Sequence, residues 1–109
     1  MIVLLDVSVL IPLADVQHLH HDLSECWFAK GAVSGFATCA ITQLALLRYL
    51  TRFHGGIGLK QALAVLGSFA EDARHRFLNC DLAAQDARWF GVIGHAQVTD
   101  AYLAALARR

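Results

Sequence analysis

The first residues of the chain form an apolar run that ends on a carboxylate, and no other feature constrains the fold as strongly. Residues 2–5 are Ile-Val-Leu-Leu, which is typical of a β-strand that is buried on both faces. Asp6 follows directly, and residues 8–14 predict a short helix. Strands that are covered on both faces belong mainly to parallel α/β sheets. The pattern therefore predicts an α/β fold with Asp6 at the carboxyl end of the first strand.

The rest of the sequence alternates between short strands and helices. We expect further strands at residues 35–39 and 75–78, and a chain of 109 residues is the size of one domain. We therefore expect a single domain over residues 1–109, with a parallel sheet flanked by helices. The other predicted helices cover residues 22–31, 42–50, 59–73, 82–93 and 99–106.

The helix that begins near residue 42 carries the clearest apolar stripe. Thr42 is placed to cap it, and the stripe consists of Leu44, Leu47 and Leu50. We expect these three leucines to face the core.

Composition narrows the class of function. The formal net charge is zero, so no general basic field attracts nucleic acid, and any such contact must be local. Hydrophobic residues make up 57% of the chain, which is above the usual share and predicts an apolar surface for a partner. The three cysteines are odd in number and widely separated, so we expect no disulfide framework and a reducing cytoplasm. No stretch is long enough to span a membrane, so no membrane attachment is expected.

Asp6 has two interpretations from sequence alone. Asp before a helix is a common cap, because its side chain accepts a hydrogen bond from a backbone N–H that has no other partner. A charge at the carboxyl end of a parallel strand is also placed for ligand chemistry. The chain supplies a second carboxylate at a comparable place, because Thr99 and Asp100 open the last predicted helix. The histidines at 18, 20, 21 and 95 lack zinc-site spacing, so we do not expect them to bind metal.

Three segments carry a resemblance to a known family. They are Leu-Leu-Asp6-Val-Ser8-Val-Leu-Ile-Pro-Leu, Gly35-Phe-Ala-Thr-Cys-Ala-Ile-Thr42-Gln43 and Gly94-His-Ala-Gln-Val-Thr99-Asp100-Ala-Tyr-Leu-Ala-Ala-Leu-Ala. In order and spacing these segments resemble the PIN-domain ribonucleases, and more narrowly the VapC-type toxins of bacterial toxin–antitoxin pairs.

The resemblance implies a metal-dependent ribonuclease. A PIN-like parallel sheet would hold Mg²⁺ or Mn²⁺ at a cluster of acidic side chains, and Asp6 and Asp100 would be catalytic metal ligands. A hard cation of this kind prefers oxygen ligands and retains bound water. The substrate would be an RNA phosphodiester, and a cognate antitoxin would cover the site. Arg48, Arg52, Lys60, Arg74 and Arg76 are the candidates for RNA contacts, although solvated charge is the ordinary role of such residues.

Two small polar residues flank the expected ligands. Ser8 matches a position beside the acidic cluster, where its hydroxyl would hydrogen-bond Asp6 or a metal-bound water. Thr99 adjoins Asp100 in the same way. Each of the two residues has an alternative role as a helix N-cap.

The chain departs from the family pattern at two places. Gln43 stands where the family usually has Glu, and the sequence stops at Arg109 where relatives continue with another strand that carries a further Asp. A unit charge about 5 Å from a divalent ion contributes roughly 7 kcal/mol at an effective dielectric of about 20, before desolvation is subtracted. We therefore expect a weakened site and a sheet that lacks the family's last strands. Residues 2–5 would then form a sheet edge that a homodimer covers.

Two functions of different classes follow from these observations. The first is a Mg²⁺-dependent endoribonuclease toxin that an antitoxin silences. The second is a catalytically impaired PIN-domain remnant that acts only through dimerisation or antitoxin binding, which Gln43 favours. A nucleotide-binding α/β domain is disfavoured, because no glycine-rich phosphate loop follows the first strand.

Overall fold

The computed structural model describes residues 2–32, 34–52, 57–87, 89, 91 and 94–108. The chain divides into two compact units, Met1–Leu78 and Asn79–Arg109. The expected single domain over 1–109 stays a prediction.

The described residues of the first unit form a parallel sheet and four helices. Its strands are β1 (Val3–Leu4), β2 (Phe36–Cys39) and β3 (His75–Leu78). Its helices are α1 (Val7–Ala14), α2 (His21–Gly31), α3 (Ala40–Arg52) and α4 (Leu59–Ala70).

Strand β2 lies at the centre of the three-stranded sheet, in the order β1-β2-β3, and both pairings are parallel. Val3 pairs with Phe36, and Phe36 pairs with His75 on the other side. All four residues of β2 are buried, whereas β1 and β3 are only partly buried. The strands therefore end at one common edge, and the residues that follow them meet there.

Gly35 allows β2 to begin between its two neighbours. Its φ of +125° is a conformation that residues with a Cβ rarely adopt. A Cβ at this position would also lie 3.1 Å from the carbonyl oxygen of Arg74. The carbonyl of Gly35 accepts a hydrogen bond from the amide of Val3 at 3.3 Å, so one residue joins the start of β2 to β1.

The core of this unit lies between the sheet and the helices. Phe36 of β2 is fully buried, and Leu10 of α1 and Leu46 of α3 are equally inaccessible. Burial of such side chains contributes about 1.5–3 kcal/mol each relative to exposure. The buried members of the core cluster are Leu5, Leu10, Ala32, Phe36, Leu46, Leu50 and Ala62.

A histidine joins the first two helices. The last four carbonyls of an α-helix have no partner inside the helix, and Pro12 carries one of these carbonyls in α1. His21, the first residue of α2, places Nδ1 2.7 Å from the carbonyl oxygen of Pro12. The same ring places Nε2 3.4 Å from a carboxylate oxygen of Glu25, one turn further along α2. The contact satisfies one carbonyl and fixes the start of α2 against α1.

The expectation for α3 was wrong at two residues. The helix begins at Ala40, so Thr42 lies inside the first turn and is buried, 1% exposed. Its hydroxyl accepts from the amide of Cys39 and donates to the carbonyl of Cys39, each at 3.1 Å. Leu44 is 57% exposed, because the buried face runs through Thr42, Leu46 and Leu50 at spacings of four residues. A buried threonine is invisible to a search for an apolar stripe.

Among its described residues, the second unit contains one α-helix, α5 (Val98–Ala107), and two short 3₁₀ turns, Ala84–Asp86 and His95–Gln97. The prediction of a helix over 82–93 was wrong for its first part, where only the turn Ala84–Asp86 is helical. Residues 88, 90, 92 and 93 of this prediction lie outside the described residues. Tyr102 donates to the carbonyl of Leu82 at 2.6 Å, a bond that a helix beginning at Leu82 would have to share. Within the described ranges, no helix has the length and hydropathy required to cross a bilayer.

The hydrogen bonds of Thr42 predict a measurable loss of stability when its hydroxyl is removed. Thr42→Val keeps the shape of the side chain but leaves the amide of Cys39 without its hydroxyl acceptor. We expect the free energy of unfolding to fall by about 1–3 kcal/mol, measured as a lower urea midpoint with an unchanged slope. Thr51→Val is the matched control, because the Thr51 hydroxyl donates to the carbonyls of Leu47 and Arg48 in the preceding turn of its own helix and accepts from no backbone amide in the bonds described. Equal losses in the two variants would contradict this role for Thr42.

Candidate functional site

Asp6 begins the candidate site, directly after β1 and the buried residue Leu5. It is the N-cap of α1, with extended backbone angles of φ −76° and ψ 160°. Its Oδ1 accepts from the amide of Val7 at 2.6 Å. The capping interpretation of Asp6 is therefore confirmed, and the bond holds one oxygen of the carboxylate in a fixed position.

Ser8 orients the other oxygen. Its hydroxyl donates to Oδ2 of Asp6 at 3.0 Å, so the expected contact between these two residues is confirmed. The alternative of Ser8 as the N-cap is wrong, because α1 begins at Val7 and Asp6 occupies that position. An ionised carboxylate has about four acceptor sites, so two bonds leave further lone pairs for a cation. The role of Ser8 towards a metal or substrate stays a prediction.

Gln43 lies at the same edge of the sheet as Asp6. The amide of Leu5 donates to the carbonyl of Ala37 at 2.9 Å, so β1 and β2 run side by side to their carboxyl ends. Asp6 follows one strand, and Gln43 lies in the first turn of the helix that follows the other. Parallel strands bring such residues to a common edge, where ligands bind in open α/β sheets.

A chain of hydrogen bonds holds the side chain of Gln43. Its Nε2 donates to Oγ1 of Thr38 at 2.9 Å, and the same oxygen lies 2.7 Å from Nε2 of His75. A threonine hydroxyl has one hydrogen to donate. Because Gln43 donates to Thr38, the hydroxyl hydrogen of Thr38 is available to His75. Nε2 of His75 then accepts this hydrogen bond, and the ring is neutral with its proton on Nδ1. In this arrangement, the amide oxygen of Gln43 remains available as an acceptor.

Burial favours the neutral form of His75. Desolvation lowers the pKa of His75, and the nearby charge of Asp72 opposes the shift only in part. The ring also lies against Phe36, with 5.3 Å between centroids. A neutral His75 is the state that accepts from Thr38, so its pKa and the hydrogen-bond chain agree.

Thr38 and His75 were not predicted as site residues. Thr38 is fully buried between Phe36 and Cys39 in the central strand. A buried hydroxyl requires a partner, and this requirement is the signal that was available in the sequence. The register that sets His75 beside Phe36 supplies that partner, and a register between distant segments was not available from one sequence.

Asp100 and Thr99 belong to the second unit. Asp100 lies in the first turn of α5 and is exposed. Thr99 is also exposed and does not cap the helix, because α5 begins one residue earlier with Gln97 at the N-cap position and no side-chain cap bond. The alternative of Thr99 as a cap is therefore wrong, while its role beside Asp100 stays a prediction. A joint site of Asp6 and Asp100 also stays a prediction.

The candidate donors suit a hard cation. Asp6 offers carboxylate oxygens and Gln43 offers a neutral amide oxygen, which are ligand types that Mg²⁺ accepts alongside water. Among the described residues, no group of three or more His, Cys, Asp or Glu side chains has an arrangement that could hold a metal. With one carboxylate and one amide oxygen, the donor set in the first unit fits a cation that keeps several waters.

The guanidinium of Arg74 is engaged within the first unit, and its role towards RNA stays a prediction. Its guanidinium donates to both carboxylate oxygens of Asp72, at 3.0 and 2.8 Å, and packs 4.6 Å from the ring centre of Phe28. Those hydrogen bonds lower the pKa of Asp72 to about 2. The side chains of Arg48, Arg52, Lys60 and Arg76 are exposed.

Comparison with known proteins identifies the family, although no protein-family model matches the chain. Ribonuclease VapC29 of Mycobacterium tuberculosis is 44% identical over 108 residues, covering 99% of this chain and 79% of the relative. Ribonuclease VapC38 of the same organism is 38% identical over 109 residues, covering 97% of this chain and 77% of the relative. The chain belongs to the VapC ribonuclease family. The resemblance to VapC-type toxins is thereby confirmed.

A solved VapC structure agrees with the fold. Mycobacterium tuberculosis VapC20, described as a toxin that cleaves the sarcin–ricin loop, superposes with a TM-score of 0.75 at 15% identity. The match covers 99% of this chain and 82% of VapC20. The predicted α/β class, a parallel sheet flanked by helices, is confirmed for this VapC chain.

The partly buried position of His75 predicts a pH dependence of stability. Because the pKa of His75 is lowered in the folded protein, the unfolded chain binds the proton more readily. Its contribution to stability is fully present above the ordinary pKa of 6.5 and is lost as the pH falls below that value. When the pH falls from about 7.5 to about 5.5, we expect the free energy of unfolding to decrease less in His75→Gln than in the parent, as measured by urea unfolding.

His20→Gln controls for the loss of a histidine, because His20 is exposed and lies outside the Thr38 contact. It should retain the pH dependence of the parent. The same pH dependence in His75→Gln and in the parent would refute a role for His75 protonation.

Proposed function

We propose that this VapC protein is a Mg²⁺-dependent endoribonuclease toxin. One observation carries the proposal: Asp6 stands at the carboxyl end of the first strand with both oxygens oriented, one by the Val7 amide and one by the Ser8 hydroxyl. A carboxylate held in this way is prepared for a metal ion, because its orientation is fixed before the ion binds. Membership of the ribonuclease family supplies the reaction class.

Asp6 and Asp100 are the proposed metal ligands, and Gln43 and Ser8 support them. Bound Mg²⁺ or Mn²⁺ would lower the pKa of a coordinated water and neutralise charge that develops on the reacting phosphate. Asp6 would bind the metal ion, and the hydroxyl of Ser8 keeps Oδ2 of Asp6 from rotating away. Gln43 contributes a neutral oxygen whose direction is set by the bond from its amide nitrogen to Thr38. Thr99 is proposed to support Asp100 from the neighbouring position.

The alternative of a catalytically impaired remnant rests on the same glutamine. A neutral oxygen attracts a divalent cation more weakly than a carboxylate does, since the missing unit charge is worth several kcal/mol at about 5 Å. The amide nitrogen of Gln43 donates to Thr38 within the fold, so the side chain has a structural role that does not require catalysis. A chain with this substitution would still dimerise or bind its antitoxin.

Partners and location complete the proposal. The substrate is RNA, and a VapB-type antitoxin is proposed to cover the site and silence the toxin. The cytoplasm is the proposed location, because RNA substrate and antitoxin are both found there. A homodimer is proposed as the assembled state.

Strand β1 supplies the reason for the dimer. It pairs with β2 on one side, and no described strand lies on the other. Ile2, just before it, is 39% exposed, and an exposed apolar edge recruits another chain. We propose that a second copy covers this edge.

The proposed dimer predicts the molecular mass in solution and a variant that should halve it. Light scattering of the parent should give twice the mass of the chain, and Ile2→Glu should reduce it to one chain, because burying a charge at the edge is costly. Leu19→Glu is the control, since Leu19 is 89% exposed in the segment between α1 and α2. A parent that remains monomeric at high concentration would exclude the dimer.

Cleavage of a mixed RNA pool with Mg²⁺ or Mn²⁺ tests the function. Asp6→Asn keeps a capping oxygen but loses the charge, so we expect at least a 100-fold loss of cleavage with little loss of stability. Asp100→Asn should behave in the same way. Gln43→Glu should raise the rate at limiting Mg²⁺ by about tenfold, because it restores one negative charge.

Matched controls separate these effects from the general charge of the protein. Asp22→Asn removes an exposed carboxylate from α2, and Gln61→Glu adds one to the surface of α4. Both controls should cleave like the parent. Parent activity that survives Asp6→Asn would disprove the proposed site. Activity that appears only with Gln43→Glu would support the remnant.

A further inference from the structure

A groove adjoins the candidate site and is not explained by the metal ligands. It has a volume of about 410 Å³ and lies between the start of α1 and the second half of α3. Its lining includes Val7 from α1 and two arginines from α3, Arg48 and Arg52. These arginines are four residues apart, so they project from the same face of the helix.

Arg48 is available to a ligand. Its side chain is exposed, and within the described part of the chain no carboxylate forms an ion pair with its guanidinium. Arg74, by contrast, is held by Asp72. The guanidinium presents five N–H donors in a fixed plane that matches the oxygens of a phosphate. Arg52 adds a second positive charge one turn further along the same groove.

The groove reaches the residue that follows Asp6. Val7 forms part of its wall, and the amide of Val7 is the donor that holds Oδ1 of Asp6 at 2.6 Å. A polymer bound with one phosphate at Asp6 must extend over the neighbouring surface. The groove offers positive charge at that place, in a protein whose formal net charge is zero. Charge located here, rather than spread over the surface, favours a ligand with regularly spaced anions.

Tyr49 forms a further part of the wall and is held in place. Its hydroxyl donates to Oδ2 of Asp15 at 3.2 Å, and burial, followed by the bond to Asp15, raises the pKa of Tyr49. The phenol therefore stays neutral beside the arginines. The hydroxyl of Thr51 donates to the carbonyl of Leu47, so the groove is lined on this side by neutral groups.

We propose that this groove binds the phosphate backbone of the single-stranded RNA substrate beside the cleaved position, with Arg48 as the principal contact and Arg52 as its neighbour. The proposal rests on the ribonuclease function proposed above. Arg48 acts here as a binding and positioning residue. Its contact is with phosphate, so it should affect affinity for all sequences equally.

RNA binding without cleavage tests the groove. A fluorescently labelled single-stranded RNA of mixed sequence is titrated with the full chain in EDTA, and anisotropy gives the dissociation constant at 50 and 200 mM salt. Arg48→Ala should weaken binding about fivefold to tenfold at the lower salt concentration, and the slope of log K against log salt should become shallower by about 0.7. Lys30→Ala is the control, because it removes an exposed cation from α2, away from the groove lining. It should bind within about twofold of the parent.

The outcomes separate the groove from the proposed function. Equal binding by Arg48→Ala and Lys30→Ala, with both folded by circular dichroism, overturns the groove even if the parent cleaves RNA. Weaker binding by Arg48→Ala alone supports the groove even if the parent does not cleave. A parent that fails to bind the RNA overturns the groove, as does an Arg48→Ala variant that loses antitoxin binding while RNA affinity is unchanged.

Discussion

The complete burial of strand β2 is the constraint on which the rest of the first unit depends. A strand without access to water must satisfy every polar group from within the protein. Thr38 meets this requirement through Gln43 and His75, and the amide of Cys39 meets it through Thr42. These bonds fix the first turn of α3 against the carboxyl edge of the sheet. The position of Gln43 thus follows from the hydrogen-bonding needs of a central strand.

The same constraint explains how an amide can occupy a position where the family usually has a carboxylate. A glutamine can donate to Thr38, whereas a carboxylate in its place could only accept, so the hydroxyl of Thr38 would have to turn and the ring of His75 would have to donate. The neutral side chain therefore agrees with a neutral His75, whose pKa is lowered by burial. Charge at residue 43 and protonation at residue 75 are linked through one hydroxyl group. The metal affinity proposed for the site and the hydrogen bonding of His75 in β3 are consequently coupled.

Much of the fold was predictable because its signals are local. The apolar run at residues 2–5, the change to helical spacing after Asp6 and the glycine before β2 each depend on neighbours in sequence, and the contact between Asp6 and Ser8 spans two residues. The polar chain through Thr38 and His75 spans 37 residues and depends on strand register, which one sequence does not contain. Two predictions were wrong for a related reason, namely a core-facing Leu44 and a helix over the first part of residues 82–93, where only the turn Ala84–Asp86 is helical. Apolar spacing alone does not distinguish a core face from a surface face.

The double use of the Asp6 carboxylate has a consequence for how the sequence can drift. Asn and Ser cap helices about as well as Asp, so the bond to the Val7 amide alone would leave position 6 free to vary among three residues. The need for negative charge at residue 6 comes from the proposed metal role alone. Asn or Ser there would leave the helix intact and its capping unimpaired, so folding does not oppose either change. The persistence of aspartate at residue 6 would therefore depend on the proposed chemistry and not on the fold.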